Sequence, residues 1–130
     1  MQHTCDIFEN LSIGTDIENV SRFEKYAVNR KLTEKMGVYT DLELDYCFSA
    51  KLPAKHLAAR FCAKEAVYKA VCGANLTMTP PAFTEIEIYN DEQGVPKVRF
   101  LNDSFANIKC KISLAHCKDK AIANAILCLS

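Results

Sequence analysis

The sequence predicts an α+β domain, with helices packed on one face of a mostly antiparallel sheet. Three observations lead there. Residues 53–72 carry a long helical pattern rich in Ala, Leu and Lys, with no internal Gly or Pro. From Phe83 onward the apolar period changes to two, in short runs separated by turns. The chain has 130 residues, 49% hydrophobic and 25% charged, which provides one core and no second one.

Residues 1–10 are polar without a period and read as an N-terminal arm; residues 11–130 read as the single domain. Leu11 to Ile17 reads as a strand, in which Gly14 marks a close backbone approach and Asp16 sits at the end. Val20, Phe23, Ala27 and Val28 fall at helical spacing, and the pattern breaks near Met36-Gly37. Thr40-Asp41-Leu42-Glu43 is a capping box, which predicts a helix to about Phe48. Pro53 suits the first turn of the long helix, and Gly73 suits its end. Ile86 and Ile88 alternate with Glu85 and Glu87, Asn90 to Gly94 form a turn, and Val98 and Phe100 belong to a return strand. A third strand covers Ile108 to Cys117; Asp119-Lys120 turns the chain into a last one, Ala121 to Leu129.

The composition excludes several classes of function. The formal net charge is +0, so the excess of Lys and Arg that drives nucleic-acid binding is absent, and no nucleic acid is expected as a partner. No run approaches the roughly 18 apolar residues of a membrane span, and the first residues lack the order of a secretory signal, so no membrane is expected either. Seven cysteines are scattered, with no Cys-x-x-Cys. That argues against structural zinc and against a disulfide framework, and predicts reduced thiols in a cytoplasmic protein.

Three features have chemical potential. Phe61, Glu65 and Lys69 are spaced by four and stack on one face of the long helix. They are read either as a surface ion pair or as a carboxylate and an ammonium in a site. Gly14-Thr15-Asp16 places a carboxylate on the first strand, where it is a turn residue or, with Glu65, a hard oxygen ligand; two carboxylates with phosphate oxygens and water suit Mg²⁺. Ser113-Leu114-Ala115-His116 puts Leu114 and His116 on one side of a strand and Ser113 and Ala115 on the other.

Taken in order, Ile13-Gly14-Thr15-Asp16, Thr40-Asp41-Leu42-Glu43, Arg60-Phe61-Cys62-Ala63-Lys64-Glu65-Ala66-Val67-Tyr68-Lys69 and Ser113-Leu114-Ala115-His116 resemble the phosphopantetheinyl transferases, specifically the small holo-acyl-carrier-protein synthase type. The likeness runs from Leu11 to about Leu127. It departs from the family pattern at residues 1–10, at Ala115 and at Met36-Gly37.

The resemblance implies an enzyme that moves phosphopantetheine from coenzyme A to a serine of an apo acyl carrier protein. It implies a phosphopantetheinyl transferase-like fold and Mg²⁺ held by Asp16 and Glu65. Glu65 and Lys69 become the catalytic pair, with the serine proton passing to Glu65 or to a metal-bound water. It sets Lys69 against the pyrophosphate, and Arg60, His116 and Cys117 at the ribose 3′-phosphate, in a homotrimer with sites between subunits. The acidic carrier would dock on a basic stretch, where Arg22, Lys25, Arg30, Lys31 and Lys35 outnumber Glu24 and Glu34. A non-catalytic carrier-protein or coenzyme A binding module on the same fold is the competing reading. The joint presence of Asp16, Glu65 and Lys69 speaks against it.

Overall fold

A computed structural model describes residues 7–129; Cys5 and most of the predicted arm lie outside them, and residues 7–9 make one helical turn. Strand β1 (Leu11–Asn19) pairs antiparallel with β5 (Lys120–Leu129), which pairs antiparallel with β4 (Ile108–His116), in the order β1-β5-β4. Strands β2 (Ile86–Asn90) and β3 (Pro96–Phe100) form a separate two-stranded antiparallel sheet. The fold is α+β as expected, but the strands make two sheets rather than one. Before β4 the chain takes a tight 3-10 turn, Asp103–Phe105, capped by the Asn102 side chain, and buries Phe105 against Phe100 with ring centroids 5.3 Å apart. This redirects the chain between β3 and β4.

The helical pattern that begins at Val20 is also interrupted. It consists of a 3-10 turn (Val20–Phe23), α1 (Glu24–Ala27) and α2 (Arg30–Glu34). Asn29 causes the break: its backbone is extended, and its side chain accepts a hydrogen bond from Lys31 N at 2.8 Å, which starts a new helix. Val28, expected on the apolar face, is therefore exposed. The helix α3 (Asp41–Phe48) begins at the expected capping box, formed by Thr40 and Glu43. The long helix α4 (Pro53–Gly73) has Pro at its start.

Helix α4 lies across the inner face of β1 and β5, burying Leu57, Ala58, Phe61, Cys62, Ala66, Val67 and Ala70. The strands meet it with small residues: Gly14, Ala121, Ala123 and Ala125 are all buried. At Gly14 the approach is so close that an added Cβ would meet Ala66 O and lie 2.7 Å from Ala70 N. Either side of this point β1 is tied to the helix. Ser12 Oγ donates to Ala70 O at 2.7 Å, and Cys62 Sγ donates to Asp16 O at 3.1 Å. Burial pushes the Cys62 thiol up to about 12, so it stays protonated and serves as a donor.

A fully buried ion pair joins the other elements to α4. Lys64 Nζ lies 2.6 Å from Glu43 Oε1 and donates to Val38 O and Phe83 O, both at 2.7 Å. Glu43 in turn accepts from Thr40 N at 2.8 Å and Ile88 N at 2.7 Å. Burial, the largest influence on each, raises the Glu43 pKa and lowers that of Lys64, while their mutual attraction opposes both shifts. With every acceptor and proton satisfied, we take the pair as ionised.

The outer face of β1 and β5 exposes isoleucines on either side of the Thr15–Asn124 pair, while β4 presents Lys109, Lys111 and Ser113 there. Ile13 lies opposite Ile126, and Ile17 opposite Ile122; Ile13 is 77% exposed and Ile126 51%.

Candidate active site

The site begins with the pleat of β1. Gly14, Asp16 and Glu18 point to the helix side, and Thr15 and Ile17 to the outer face. Asp16 lies within the strand, not at its end as expected, because pairing with β5 continues to Asn19. Its side chain is only 10% exposed. Lys69, one turn beyond Glu65 on α4, places Nζ 3.0 Å from Asp16 Oδ1 and 3.0 Å from Thr15 O. Asp16 Oδ2 is buried and accepts no hydrogen bond.

Two more carboxylates lie near enough to feel the Asp16 charge. The Glu65 pKa is raised, first by burial and then by the Asp16 charge, with Lys69 and Arg22 opposing. The Glu18 pKa is raised by burial and then by Asp16, while Arg22 opposes. Arg22 binds Glu18 at 2.7 Å, and its guanidinium lies 4.9 Å from the centroid of the Phe61 ring. Glu18 escaped the sequence reading, although its position two residues after Asp16 puts it on the same face of β1.

The donor set suits a hard divalent cation. An unpartnered buried carboxylate oxygen next to a second carboxylate is the anionic half of such a site. Among the described residues no three His, Cys, Asp or Glu side chains converge tightly enough to hold a metal by themselves. The remaining ligands must be water or substrate oxygens, which is how Mg²⁺ is usually held. Beside Glu65 opens a cavity of about 670 Å³, walled by Tyr68, Pro80, Phe83 and Glu85.

The structure does not bring every expected residue to this point. Arg60 lies five residues before Glu65 on α4, about 140° around the helix. It is 4% exposed, its Nε has no acceptor, and its guanidinium lies 4.3 Å from the Tyr46 ring centroid. It lines a different cavity, of about 370 Å³, with Asp45, Tyr46, Tyr89 and Asn90. His116 ends β4 and is exposed; Cys117 follows, with Sγ 3.3 Å from Asp119 Oδ1. Arg30 is bound by Asp45 at 2.6 Å and Glu34 at 3.3 Å, so its charge is spent joining α2 to α3. Arg22 is likewise paired, whereas Lys25 makes no ion pair among the described residues and lies over the Tyr26 ring at 5.1 Å.

Residues 12–125 match the profile of the 4′-phosphopantetheinyl transferase superfamily. The chain belongs to this superfamily. The transferase is 40% identical over 126 residues to a holo-[acyl-carrier-protein] synthase of Ruminiclostridium cellulolyticum, covering 90% of this chain and 91% of that protein. It is 39% identical over 121 residues to a synthase of the same name from Protochlamydia amoebophila, covering 89% and 96%. Among solved structures it resembles the holo-(acyl-carrier-protein) synthase of Bacillus anthracis in complex with CoA (3′,5′-ADP). The TM-score there is 0.71 with 29% identity, covering 92% of this chain and 96% of that one. The fold and family implied by the four sequence motifs are those found.

Proposed function

We propose that the transferase moves 4′-phosphopantetheine from coenzyme A onto a serine of an apo acyl carrier protein and releases adenosine 3′,5′-bisphosphate. The convergence of Asp16, Glu65 and Lys69 where β1 crosses α4 carries this reading. The relatives named as holo-[acyl-carrier-protein] synthases support it. Asp16 and Glu65 hold Mg²⁺, which when bound supplies positive charge against the pyrophosphate oxygens. Glu65 receives the proton as the serine Oγ–P bond forms and the bond from phosphorus to the bisphosphate leaving group breaks. Lys69 is 51% exposed, so its ammonium turns from Asp16 to a phosphate oxygen on a flexible stem. The cavity beside Glu65 receives the pantetheine arm.

Arg60, with its buried unpaired Nε, binds the ribose 3′-phosphate, assisted by His116 and Cys117. Because Arg60 and Glu65 face different ways on α4, one coenzyme A is shared between neighbouring subunits. We assign the molecule as a homotrimer, with the exposed isoleucines of β1 and β5 buried against its copies. Lys25, and to a lesser degree Arg22 and Arg30, steer the acidic carrier. The protein works in the cytoplasm, where its free thiols persist.

Incubation with apo carrier protein, coenzyme A and Mg²⁺, followed by intact mass measurement, tests the proposal. Addition of one phosphopantetheine supports it. Carrier binding without any mass change would favour the non-catalytic module.

A further inference from the structure

We infer that His56 is a specificity-determining residue for the ribose 3′-phosphate: it stands one turn from Arg60 against the same Tyr46 ring, and it takes up one proton from solvent when the phosphate dianion arrives. This rests on the coenzyme A reading proposed above and deepens it. His56 and Arg60 are one turn apart on α4 and close on the same ring from α3. The His56 ring meets Tyr46 edge-on, with centroids 5.3 Å apart, while the Arg60 guanidinium lies 4.3 Å from the Tyr46 centroid. Tyr46 thus contacts both groups; with Arg60 it lines the cavity of about 370 Å³, and the buried Nε of Arg60 has no acceptor.

The groups that face His56 are Lys55 and Arg60 from its own helix, His116 from β4 and the Tyr46 ring from α3. The nearby carboxylate of Asp45 is held by Arg30 at 2.6 Å. Burial, then Arg60, His116 and Lys55, hold the His56 pKa below its ordinary value. His56 is therefore neutral at neutral pH in the free protein, and charging it beside Arg60 and Lys55 is unfavourable. A bound dianion reverses the sign of the local field and raises the His56 pKa. By linkage, affinity for the 3′-phosphate then rises as pH falls through the pKa of the bound form.

The imidazole C–H resonance of His56 is followed against pH by NMR in the wild-type protein alone, with adenosine 3′,5′-bisphosphate, and with adenosine 5′-monophosphate. The midpoint is expected to rise by about one pH unit or more with the bisphosphate only. Calorimetric affinities for the bisphosphate, near pH 6 and near pH 8, are then compared in wild type and His56→Gln. The variant removes the titration of the protein but not that of the phosphate, so its pH ratio should be smaller by about threefold or more. Its KM for coenzyme A should rise at the lower pH while kcat and the KM for dephospho-coenzyme A stay fixed. Bisphosphate that binds with no movement of the His56 midpoint overturns this inference and leaves the coenzyme A reading standing. Failure of the bisphosphate to bind overturns both.

Discussion

Lys69 Nζ lies 3.0 Å from Asp16 Oδ1, a contact that joins the long helix to the first strand across 53 positions of sequence. It leaves Oδ2 as the only unpartnered carboxylate oxygen among the buried side-chain atoms described. Asp16→Ala and Glu65→Ala should each lower turnover by at least about a hundredfold, in a steady-state transfer assay, with the far-ultraviolet circular dichroism unchanged. Lys69→Ala should lower kcat comparably, and Lys69→Arg should recover only part, because a planar fork does not replace a compact charge. Wild-type turnover in Lys69→Ala at saturating coenzyme A would reduce the contact to a surface ion pair.

The buried pair of Glu43 and Lys64 behaves differently. Lys64→Met strands a buried carboxylate that still holds Thr40 N and Ile88 N. Chemical denaturation should show a loss of about 3–5 kcal/mol, most of it regained in the double variant with Glu43→Gln. Equal stability of the single variant and the wild type would mean that the pair is not charged.

Gly14→Ala places a methyl group against Ala66 O and Ala70 N. Overpacking of this kind costs about 1–3 kcal/mol or more. The strand must also move, which separates Asp16 from Glu65. Thermal unfolding should show a lowered Tm, and activity should fall further than the loss of folded protein accounts for. A variant with unchanged Tm and rate would show that the strand has room to spare.

Ile13→Lys and Ile126→Glu put charges on the outer face of β1 and β5. Sedimentation velocity should show the proposed homotrimer replaced by monomer, with transfer activity lost in parallel. A monomeric variant of full activity would place the whole site within one chain.

Lys25→Glu should raise the KM for the carrier protein several-fold at low salt and leave the KM for coenzyme A nearly fixed. Arg22 is a poorer probe, since reversing it also releases Glu18 beside Asp16. An unchanged carrier KM for Lys25→Glu at low salt would move docking to another surface.

Local rules placed most of this molecule. Thr40 and Glu43 marked the start of α3, Pro53 and Gly73 bounded α4, and Ile86 and Ile88 marked the buried side of β2. Each of these signals lies within a few residues of its effect. Asn29 is also local, but its capping bond overrode an apolar spacing that continued through it. What stayed hidden depends on distant residues. Nothing near Arg60 announces Tyr46, and nothing near His56 announces His116. The division into two sheets rests on Phe105 turning under Phe100, which no period of two records. For Lys69, spacing placed it on the right face, yet only the folded chain shows that Asp16 is its partner at rest.

Strand β5 is the middle strand of its sheet and the last in chain order, and Leu129 N donates to Asn10 O at 2.8 Å. During synthesis the first strand therefore leaves the ribosome long before its neighbour exists. Until β5 emerges, β1 has an open edge, an isoleucine face and no fixed place for Asp16. Transferase activity should consequently appear only once β5 has left the ribosome and paired with β1. A chaperone that shields strand edges would assist its biogenesis more than one that shields helices.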